Sequence, residues 1–352
     1  MRFESRLVAA TLAAFTLSAG VAEAATVDEL IGGMTLDEKL GQMFLAGVPA
    51  EGTAPLNVGG VIFLGGQLRD VGAVPERVAG LQSRVEVPLL IAADVEGGRV
   101  NRLNRHPELR EMPSASALGR SSVEEAHAWG EAAGRVMLSL GLNLNLAPVL
   151  DVAGTGHLRD SERVYGSSPE HVATIGGAFV DGLSSAGVAA IGKHYPGYGE
   201  VSGNSDTTLL IVERPPEEFQ RQREAFVGVG EGLSGVMMTN VGFTSFGSVP
   251  APFSRELVEE AHAQGWLAMT DDLAIPALQE VTGGGPEEVV KAAFLAGNDL
   301  LLTTWPLDAA GAPDYIGALR ELVQSDPSLE SRVDSSVRRI LNVKARIGLV
   351  EM

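Results

Sequence analysis

The sequence predicts an α/β protein built as one (β/α)8 barrel, somewhat irregular, in a single domain. Eight short apolar runs recur along the chain, amphipathic segments separate most of them, and 352 residues is a common length for such a barrel. Each run has the length and composition of a buried parallel strand. The runs cover residues 43–46, 58–64, 88–93, 142–149, 188–191, 235–238, 266–269 and 299–302.

The segments between the runs carry the signals of helix starts. Proline followed by acidic residues opens three of them, at Pro169, Pro216 and Pro286. Proline suits the first helical turn, and acids there interact favourably with the helix dipole. The interval after the first run is too short for a normal helix, and the intervals after Ala93 and Val149 are long. The barrel should therefore be irregular at these places, and long loops on the rim are expected to be functional.

A doubly wound open sheet is the second candidate for the fold. That fold binds nucleotides through a glycine-rich turn after a strand, and no such fingerprint follows any of the eight runs. No phosphate-binding loop motif occurs either. The barrel is therefore preferred, and no cofactor is expected.

The N-terminus has the pattern of an export signal. Arg2 and Arg6 supply positive charge, residues 7–21 are mostly apolar, and Ala22-Glu23-Ala24 forms a small-x-small cleavage site. The apolar run is short for a bilayer span, so an uncleaved anchor is less favoured. We expect a signal peptide at 1–24 and an exported mature domain at 25–352, periplasmic or secreted, without a membrane span.

Composition narrows the partners further. The chain has no cysteine, which excludes disulfides, thiolate metal sites and a lipid-modified cysteine. Its formal charge is −19, and an acidic surface argues against nucleic acid or an anionic membrane as the partner. The mature protein is expected to be a monomer that acts on a small substrate.

Polar residues follow five of the eight predicted strands. In a barrel, the residue after a strand faces the mouth where the active site is built. One such aspartate could be a helix cap, but five converging ends indicate a pocket. The residues are Asp94, Asp151, Lys193 with His194, Asn240, and Asp271 with Asp272.

The chemistry of these side chains favours a sugar pocket. Metal binding is disfavoured because no two-histidine ligand spacing occurs and Lys193 beside His194 would repel a cation. A serine hydrolase is disfavoured because no G-x-S-x-G turn is present. Carboxylates together with lysine, arginine and histidine donors suit ring hydroxyls, and glycosidic cleavage uses paired acids.

Eight motifs recur along the mature chain in a fixed order: MTLDEKLGQMFLAG at Met34, VGGVIFLGG at Val58, DVEGGRVNRL at Asp94, GLNLNLAPVLDV at Gly141, ERVYGSSPEHVA at Glu162, KHYPGYG at Lys193, MTDDL at Met269 and SVRRILNVKARIGLV at Ser336. With these motifs the chain resembles glycoside hydrolase family 3, specifically its single-domain β-N-acetylglucosaminidase branch. The similarity covers nearly the whole mature protein, and we expect the family's common second domain to be absent, as in that branch.

The resemblance implies a retaining β-N-acetylhexosaminidase. Such an enzyme would remove terminal N-acetylglucosamine from cell-wall oligosaccharides of the muropeptide type or from chitin fragments. Asp271 is implied as the nucleophile that forms a covalent glycosyl-enzyme. The residues implied to bind sugar hydroxyls are Asp94, Arg102, Arg163, Lys193 and His194.

The residues themselves agree with the assignment of Asp271. A carboxylate at a strand end, held near cationic residues, stays ionised and remains a competent nucleophile. Asp272 is expected to cap the following helix or to brace its neighbour. Trp305, just past the last run, could stack on a sugar face or close the barrel.

The chain departs from the family pattern in the loop after the fifth run. The branch carries an Asp-Ser-His triplet there, whose aspartate and histidine form the acid/base pair, and this chain has Asp206-Thr207-Thr208. Threonine cannot donate a proton at neutral pH. Tyr198 also replaces a family histidine, and residues 201–205 lengthen the loop.

Three explanations follow from the missing histidine. Asp206 could act as the acid if it were buried, because burial favours the protonated form of a carboxyl. Glu200, in the same loop, could swing over the glycosidic oxygen. Alternatively, the protein has lost catalysis and only binds sugar. The intact Asp271 favours an enzyme, with Asp206 ahead of Glu200, and a β-glucosidase or a phosphorylase is the other enzymatic alternative.

Overall fold

The computed structural model describes residues 26–49, 57–307 and 312–351. The expected signal peptide, residues 1–24, lies outside the described residues. Eight strands form one parallel sheet with helices around it, so the prediction of a (β/α)8 barrel is confirmed. The strands are β1 (Phe44–Gly47), β2 (Gly60–Ile62), β3 (Leu90–Ala93), β4 (Leu144–Asn145), β5 (Ala189–Tyr195), β6 (Gly235–Met238), β7 (Leu267–Thr270) and β8 (Leu301–Thr303).

The sheet curls into a nearly closed barrel. Its strands pair in the order β7-β6-β5-β4-β3-β2-β1-β8, which leaves β7 and β8 as the two edges. A parallel bridge joins Met269 to Leu300 across these edges. The Thr270 N–H donates to the Leu300 carbonyl at 3.0 Å, and the Leu273 N–H donates to the Leu302 carbonyl at 2.9 Å. The carboxyl ends of all eight strands therefore meet at one rim.

Thirteen helices are present in the described part of the chain. As predicted, α7, α8 and α11 begin at Pro169, Pro216 and Pro286. The helices are α1 (Val27–Gly33), α2 (Leu36–Gln42), α3 (Val74–Gln82), α4 (Ala115–Leu118), α5 (Val123–Ser139), α6 (His157–Asp160), α7 (Pro169–Ser185), α8 (Pro216–Val229), α9 (Arg255–Ala263), α10 (Pro276–Thr282), α11 (Pro286–Ala296), α12 (Tyr315–Ser325) and α13 (Glu330–Arg346).

Each predicted run overlaps one barrel strand, but the fifth strand is longer than expected. The prediction ended it at Ile191, whereas β5 continues to Tyr195. Lys193 pairs in register with Met237 of β6, so backbone pairing extends the strand beyond its apolar run. Lys193 and His194 therefore lie within the strand and not after it. This placement holds both side chains on rigid sheet structure.

The barrel is irregular at the C-terminal rim, as expected. After β3 the chain forms a hairpin of Val95–Gly97 and Val100–Asn101, and then the short α4. After β4 it forms the four-residue α6. A small three-stranded sheet of 210–212, 241–243 and 249–250 is built from the segments that follow β5 and β6. These insertions position the candidate site.

One buried cation lies away from this rim. Lys344 of α13 is completely buried, and its ammonium donates to Gln42 Oε1 at 2.8 Å. Burial lowers the pKa of Lys344 to about 7. No helix in the described residues has the length and apolar character needed to cross a membrane.

Candidate active site

A cavity of about 550 Å³ opens at the C-terminal rim of the barrel. It is lined by residues from the strand ends and from the irregular loops. Seven of the eight sequence-predicted site residues line it, and Glu200 does not. The seven are Asp94, Arg102, Arg163, Lys193, His194, Asp206 and Asp271.

An ion-paired cluster forms one wall of the cavity. The Lys193 Nζ lies 2.8 Å from Asp94 Oδ1 and 2.6 Å from Glu96 Oε1. Arg163 donates to both oxygens of Glu96, from Nε and Nη2, at 2.9 Å each. Burial would raise the pKa of the Glu96 carboxyl, but the charges of Lys193 and Arg163 lower it to about 2. Glu96 is therefore a fixed anion that holds the two cations in place.

Glu96 was not singled out from the sequence, although a signal was available. It follows Asp94 by two residues, and in the extended hairpin strand Val95–Gly97 alternate side chains point to the same side. The DVEGGRV segment therefore brings two carboxylates to Lys193. The Arg163 guanidinium is engaged with Glu96 and the residue also lines the cavity, so its role in binding sugar hydroxyls stays a prediction.

Arg102 is the least engaged cation of the site. Its Nε lies 3.7 Å from Asp94 Oδ2, beyond hydrogen-bond distance, and has no hydrogen-bond partner among the described residues. The backbone N–H of Arg102 donates to the Asp94 carbonyl at 3.0 Å, which fixes the residue beside the cavity. Arg102 lines the cavity with a partly exposed side chain, and its substrate-binding role stays a prediction.

His194 is oriented by a carboxylate behind the cavity wall. Its Nδ1 lies 2.7 Å from Asp151 Oδ2, and its backbone N–H donates to the same oxygen at 3.1 Å. The other Asp151 oxygen accepts the Tyr198 N–H. Asp151 is fully buried and does not line the cavity, so its inclusion among the strand-end pocket residues is corrected. Because Asp151 engages Nδ1, the Nε2 atom of His194 remains available to a ligand.

Asp271 lies directly after β7 and faces the cavity. Its Oδ1 accepts the Asp272 N–H at 2.8 Å. Burial raises the pKa of Asp271 to about 6, against the opposing charge of His194. The sequence prediction attributed its ionised state to cationic neighbours, whereas burial has the larger effect and acts in the opposite direction. At pH 7 the carboxylate is still about nine-tenths ionised, since one pH unit is a tenfold ratio.

Asp272 braces the end of the barrel. Its Oδ2 accepts the Thr304 hydroxyl at 2.7 Å, and its Oδ1 accepts the Thr304 N–H at 3.1 Å. Helix α10 has Ile275 as its N-cap, so Asp272 is not a helix cap. Asn240, also a predicted pocket residue, is buried and donates to the Asp272 carbonyl at 3.1 Å. Asn240 does not line the cavity and supports its wall instead.

The two sequence-predicted acids occupy different environments. Asp206 lines the cavity and is exposed, so the burial that its predicted role required is not present in this structure. Glu200 lies outside the cavity, where its Oε1 accepts the Gly154 N–H at 2.9 Å. Thr208 is exposed and does not line the cavity. The structure therefore brings Asp206, but not Glu200, to the site.

Tyr198 holds the loop that carries Asp206. Its hydroxyl donates to the Gly203 carbonyl at 2.6 Å and accepts the Ser205 N–H at 2.9 Å. The buried Arg214 donates to the Gly197 and Tyr198 carbonyls at 2.6 and 2.8 Å. Sequence reasoning missed Arg214, and a lone arginine before a helix gave no signal for it. This network fixes the shape of the loop at the cavity.

Two further features bear on the site. Trp305 is 56% exposed, so it does not close the barrel, and its neighbour Thr304 lines the cavity. Within the described residues, no group of three histidine, aspartate or glutamate side chains is arranged to hold a metal ion. The arrangement instead offers fixed cations for hydroxyl groups and one carboxylate with a raised pKa.

Comparison with known protein families gives one matching model. The model for the glycosyl hydrolase family 3 N-terminal domain matches residues 35–343. The chain belongs to glycosyl hydrolase family 3. The resemblance inferred from the motifs is confirmed, and the protein is a glycoside hydrolase that acts on glycan substrates.

Two curated relatives share the name β-hexosaminidase. A β-hexosaminidase of Tolumonas auensis is 33% identical over 256 residues, which cover 70% of this chain and 75% of the relative. A β-hexosaminidase of Pseudomonas aeruginosa is 31% identical over 286 residues, which cover 78% of this chain and 83% of the relative. The similarity thus extends over most of both chains.

Solved structures of the family share the fold. A family 3 β-N-acetylglucosaminidase from a Paenibacillus species has a TM-score of 0.81 at 31% identity, covering 90% of this chain and 63% of that one. A β-N-acetylhexosaminidase from Beutenbergia cavernae has a TM-score of 0.76 at 27% identity, covering 89% of this chain and 99% of that one. This family 3 hydrolase therefore has the barrel seen in these enzymes.

Proposed function

We propose that this family 3 hydrolase is a β-N-acetylhexosaminidase. It would release terminal N-acetylglucosamine with retention of configuration, through a covalent glycosyl-enzyme on Asp271. The observation that carries the proposal is the position of the Asp271 carboxylate, which faces the same cavity as the Asp94, Lys193 and Arg163 cluster. The names of the relatives support this activity.

The geometry gives each group a task in such a reaction. Lys193, Arg102 and Asp94 bind the hydroxyls of the terminal sugar, and Glu96 keeps Lys193 in place. Asp271 Oδ attacks the anomeric carbon as the glycosidic bond breaks, and water later releases the sugar from the enzyme. Nucleophilic attack needs the ionised carboxylate, so turnover should fall as the pH drops below about 6.

Substrate source and location extend the proposal. We infer that the mature enzyme is exported and acts as a monomer on cell-wall or chitin-derived oligosaccharides, including muropeptide-type fragments. The signal pattern at 1–24 supports export, and the small rim cavity suits one terminal sugar. Oligosaccharides that contain N-acetylglucosamine, prepared from cell wall and from chitin, are the substrates that test this inference.

A second function is favoured by one departure from the family. Threonine occupies positions 207 and 208 after Asp206, and a protein without a proton donor would bind sugar without cleaving it. A β-glucosidase or a phosphorylase is the enzymatic alternative. One experiment separates these functions: the purified mature protein is incubated with aryl β-glycosides of N-acetylglucosamine, glucose and xylose, with and without phosphate.

Release of N-acetylglucosamine from its aryl glycoside without phosphate supports the proposal. Release of sugar phosphate identifies a phosphorylase, and preference for the glucoside identifies a glucosidase. No release, together with calorimetric binding of N-acetylglucosamine oligomers, identifies a sugar-binding protein. Asp271→Asn serves as the control that removes the nucleophile with little change in size.

A further inference from the structure

We propose that His157 is the proton donor and acceptor of the reaction and that Asp206 is its partner carboxylate. This inference rests on the proposed β-N-acetylhexosaminidase function. Neither the family motifs nor the strand-end pattern points to His157. The evidence is its position in the cavity together with the engagement of the other ionisable side chains.

Glycoside cleavage requires a proton for the departing oxygen, so the donor must face the cavity. Of the cavity carboxyls and imidazoles, Asp271 is assigned as the nucleophile. Two others, His157 and Asp206, have no side-chain hydrogen bond among the described residues. The remaining four are held by cations, a carboxylate or a hydroxyl: Asp94, Glu96, His194 and Asp272.

His157 is the first residue of α6, in the long segment after β4. His157 lines the cavity and is half-buried. The ring centre lies 6.4 Å from that of Tyr198, and the Tyr198 ring centre lies 5.9 Å from that of His194 in an edge-to-face arrangement. Tyr198 therefore separates two imidazoles, of which His194 is fixed by Asp151 and His157 is free to take part in proton transfer.

The segments that carry His157 and Asp206 are joined directly. The His157 N–H donates to the Val201 carbonyl at 2.8 Å, and Val201 belongs to the same loop as Asp206. Asp206 and Asp271 line the same cavity, and the charge of Asp206 contributes to the raised pKa of Asp271. An imidazole on one segment and a carboxylate on the other thus face the same cavity.

The chemistry divides the roles between them. An exposed carboxyl is ionised at neutral pH and has no proton to give, whereas imidazole exchanges protons near neutrality. Asp206 is exposed, so it suits the partner that orients an imidazolium. His157 suits the donor.

Both half-reactions balance with these groups. In the first, the Asp271 oxygen bonds to the anomeric carbon, the glycosidic C–O bond breaks, and the His157 imidazolium gives its proton to the departing oxygen. In the second, neutral His157 takes a proton from water, the water oxygen bonds to the anomeric carbon, and the bond to Asp271 breaks.

The test compares His157→Gln with His127→Gln. His127 lies on α5, does not line the cavity and has no ring hydrogen bond among the described residues, so it is a matched control. Each variant is assayed on the N-acetylglucosamine disaccharide, which has a poor leaving group, and on a 2,4-dinitrophenyl glycoside, which needs little protonation. We expect His157→Gln to lose about 10²–10⁴-fold in kcat/KM on the disaccharide and less than about tenfold on the aryl glycoside.

Azide and Asp206 variants separate a catalytic role from a structural one. Azide should accelerate the release of the glycosyl-enzyme in His157→Gln and give glycosyl azide, because azide needs no general base. Asp206→Ala should also lose more kcat/KM on the disaccharide than on the 2,4-dinitrophenyl glycoside. The double variant should lose little more than His157→Gln alone, because the two groups act as a unit.

Four outcomes would overturn the inference. His157→Gln could behave like His127→Gln, or lose equally on both substrates without azide rescue, which would make His157 structural. Substrate-selective loss in Asp206→Ala alone would make Asp206 the acid. If the wild type cleaves neither substrate, the proposed function fails and this inference fails with it, whereas an active wild type with unaffected His157→Gln removes only this inference.

Discussion

The Lys193 ammonium lies 2.6 Å from the Glu96 carboxylate, and both side chains are only 3% exposed. Removing one member of a buried ion pair leaves the other charge uncompensated, which is more costly than losing an exposed pair. In this enzyme, loss of the Glu96 charge would leave Arg163 without its ion-pair partner and Lys193 with Asp94 alone, both at the candidate site. We therefore expect the pair to link folding stability to substrate binding.

Glu96→Gln should lower the free energy of unfolding by about 3 kcal/mol and raise KM strongly. Glu288→Gln is the matched control, because it removes a carboxylate from the surface pair with Lys291, where a change below about 0.5 kcal/mol is expected. Urea unfolding of both variants measures the difference. Equal stability of the two variants would contradict the role assigned to Glu96.

Asp271→Asn should abolish turnover, by about 10³-fold or more, and raise the melting temperature. The amide cannot attack the anomeric carbon, and it removes a carboxylate whose ionised form is disfavoured by burial. Asp272→Asn is the comparison, because loss of its bonds to Thr304 should cost about 1 kcal/mol. Thermal unfolding should show a higher melting temperature for Asp271→Asn and a lower one for Asp272→Asn. A lower melting temperature for both variants would contradict the explanation.

Activity should decline in acid as Asp271 takes up a proton. With its pKa raised to about 6, kcat/KM on an activated aryl glycoside should fall about tenfold for each pH unit below that value. Activity falls in acid, and does not rise, because only the ionised carboxylate of Asp271 attacks the anomeric carbon. A profile that stays flat from pH 7 to pH 5, with the fold intact by circular dichroism, would contradict the assignment of Asp271.

Lys344 should make stability depend on pH in the alkaline range. Burial lowers its pKa in the folded protein to about 7 from the ordinary 10.5, so the unfolded chain binds more protons between these values. The contribution of Lys344 to the free energy of unfolding therefore increases as pH rises from 7 to 10.5. Lys344→Met should remove that increase and raise the melting temperature at pH 7. An identical pH dependence in wild type and variant would contradict this account.

The fold was readable from the sequence because each barrel strand carries a short apolar run bounded by turn residues. The bounds of the strands were harder to predict. Strand β5 continues through Lys193 and His194 because β6 and Val149 pair with it. The sequence of one apolar run does not show which segments will pair with it. The rim helix α6 has only four residues, too few to show a helical period.

Site residues could be predicted where a residue follows a strand or matches a motif, as for Asp271 and Asp94. Residues that depend on contacts with other segments of the chain could not be predicted. Arg214 donates to two loop carbonyls 16 and 17 residues before it, and His157 lines the cavity from the four-residue α6. Their contacts join segments far apart in sequence, so only the folded chain brings them together.

The most direct test of the central claim is to trap the glycosyl-enzyme. The enzyme would be incubated with a 5-fluoro-N-acetylglucosaminyl fluoride, digested and mapped by mass spectrometry. We expect one fluorosugar on the peptide that contains Asp271, and none on that peptide in Asp271→Asn. A label on another residue, or no label from an enzyme that turns over N-acetylglucosaminides, would contradict the claim.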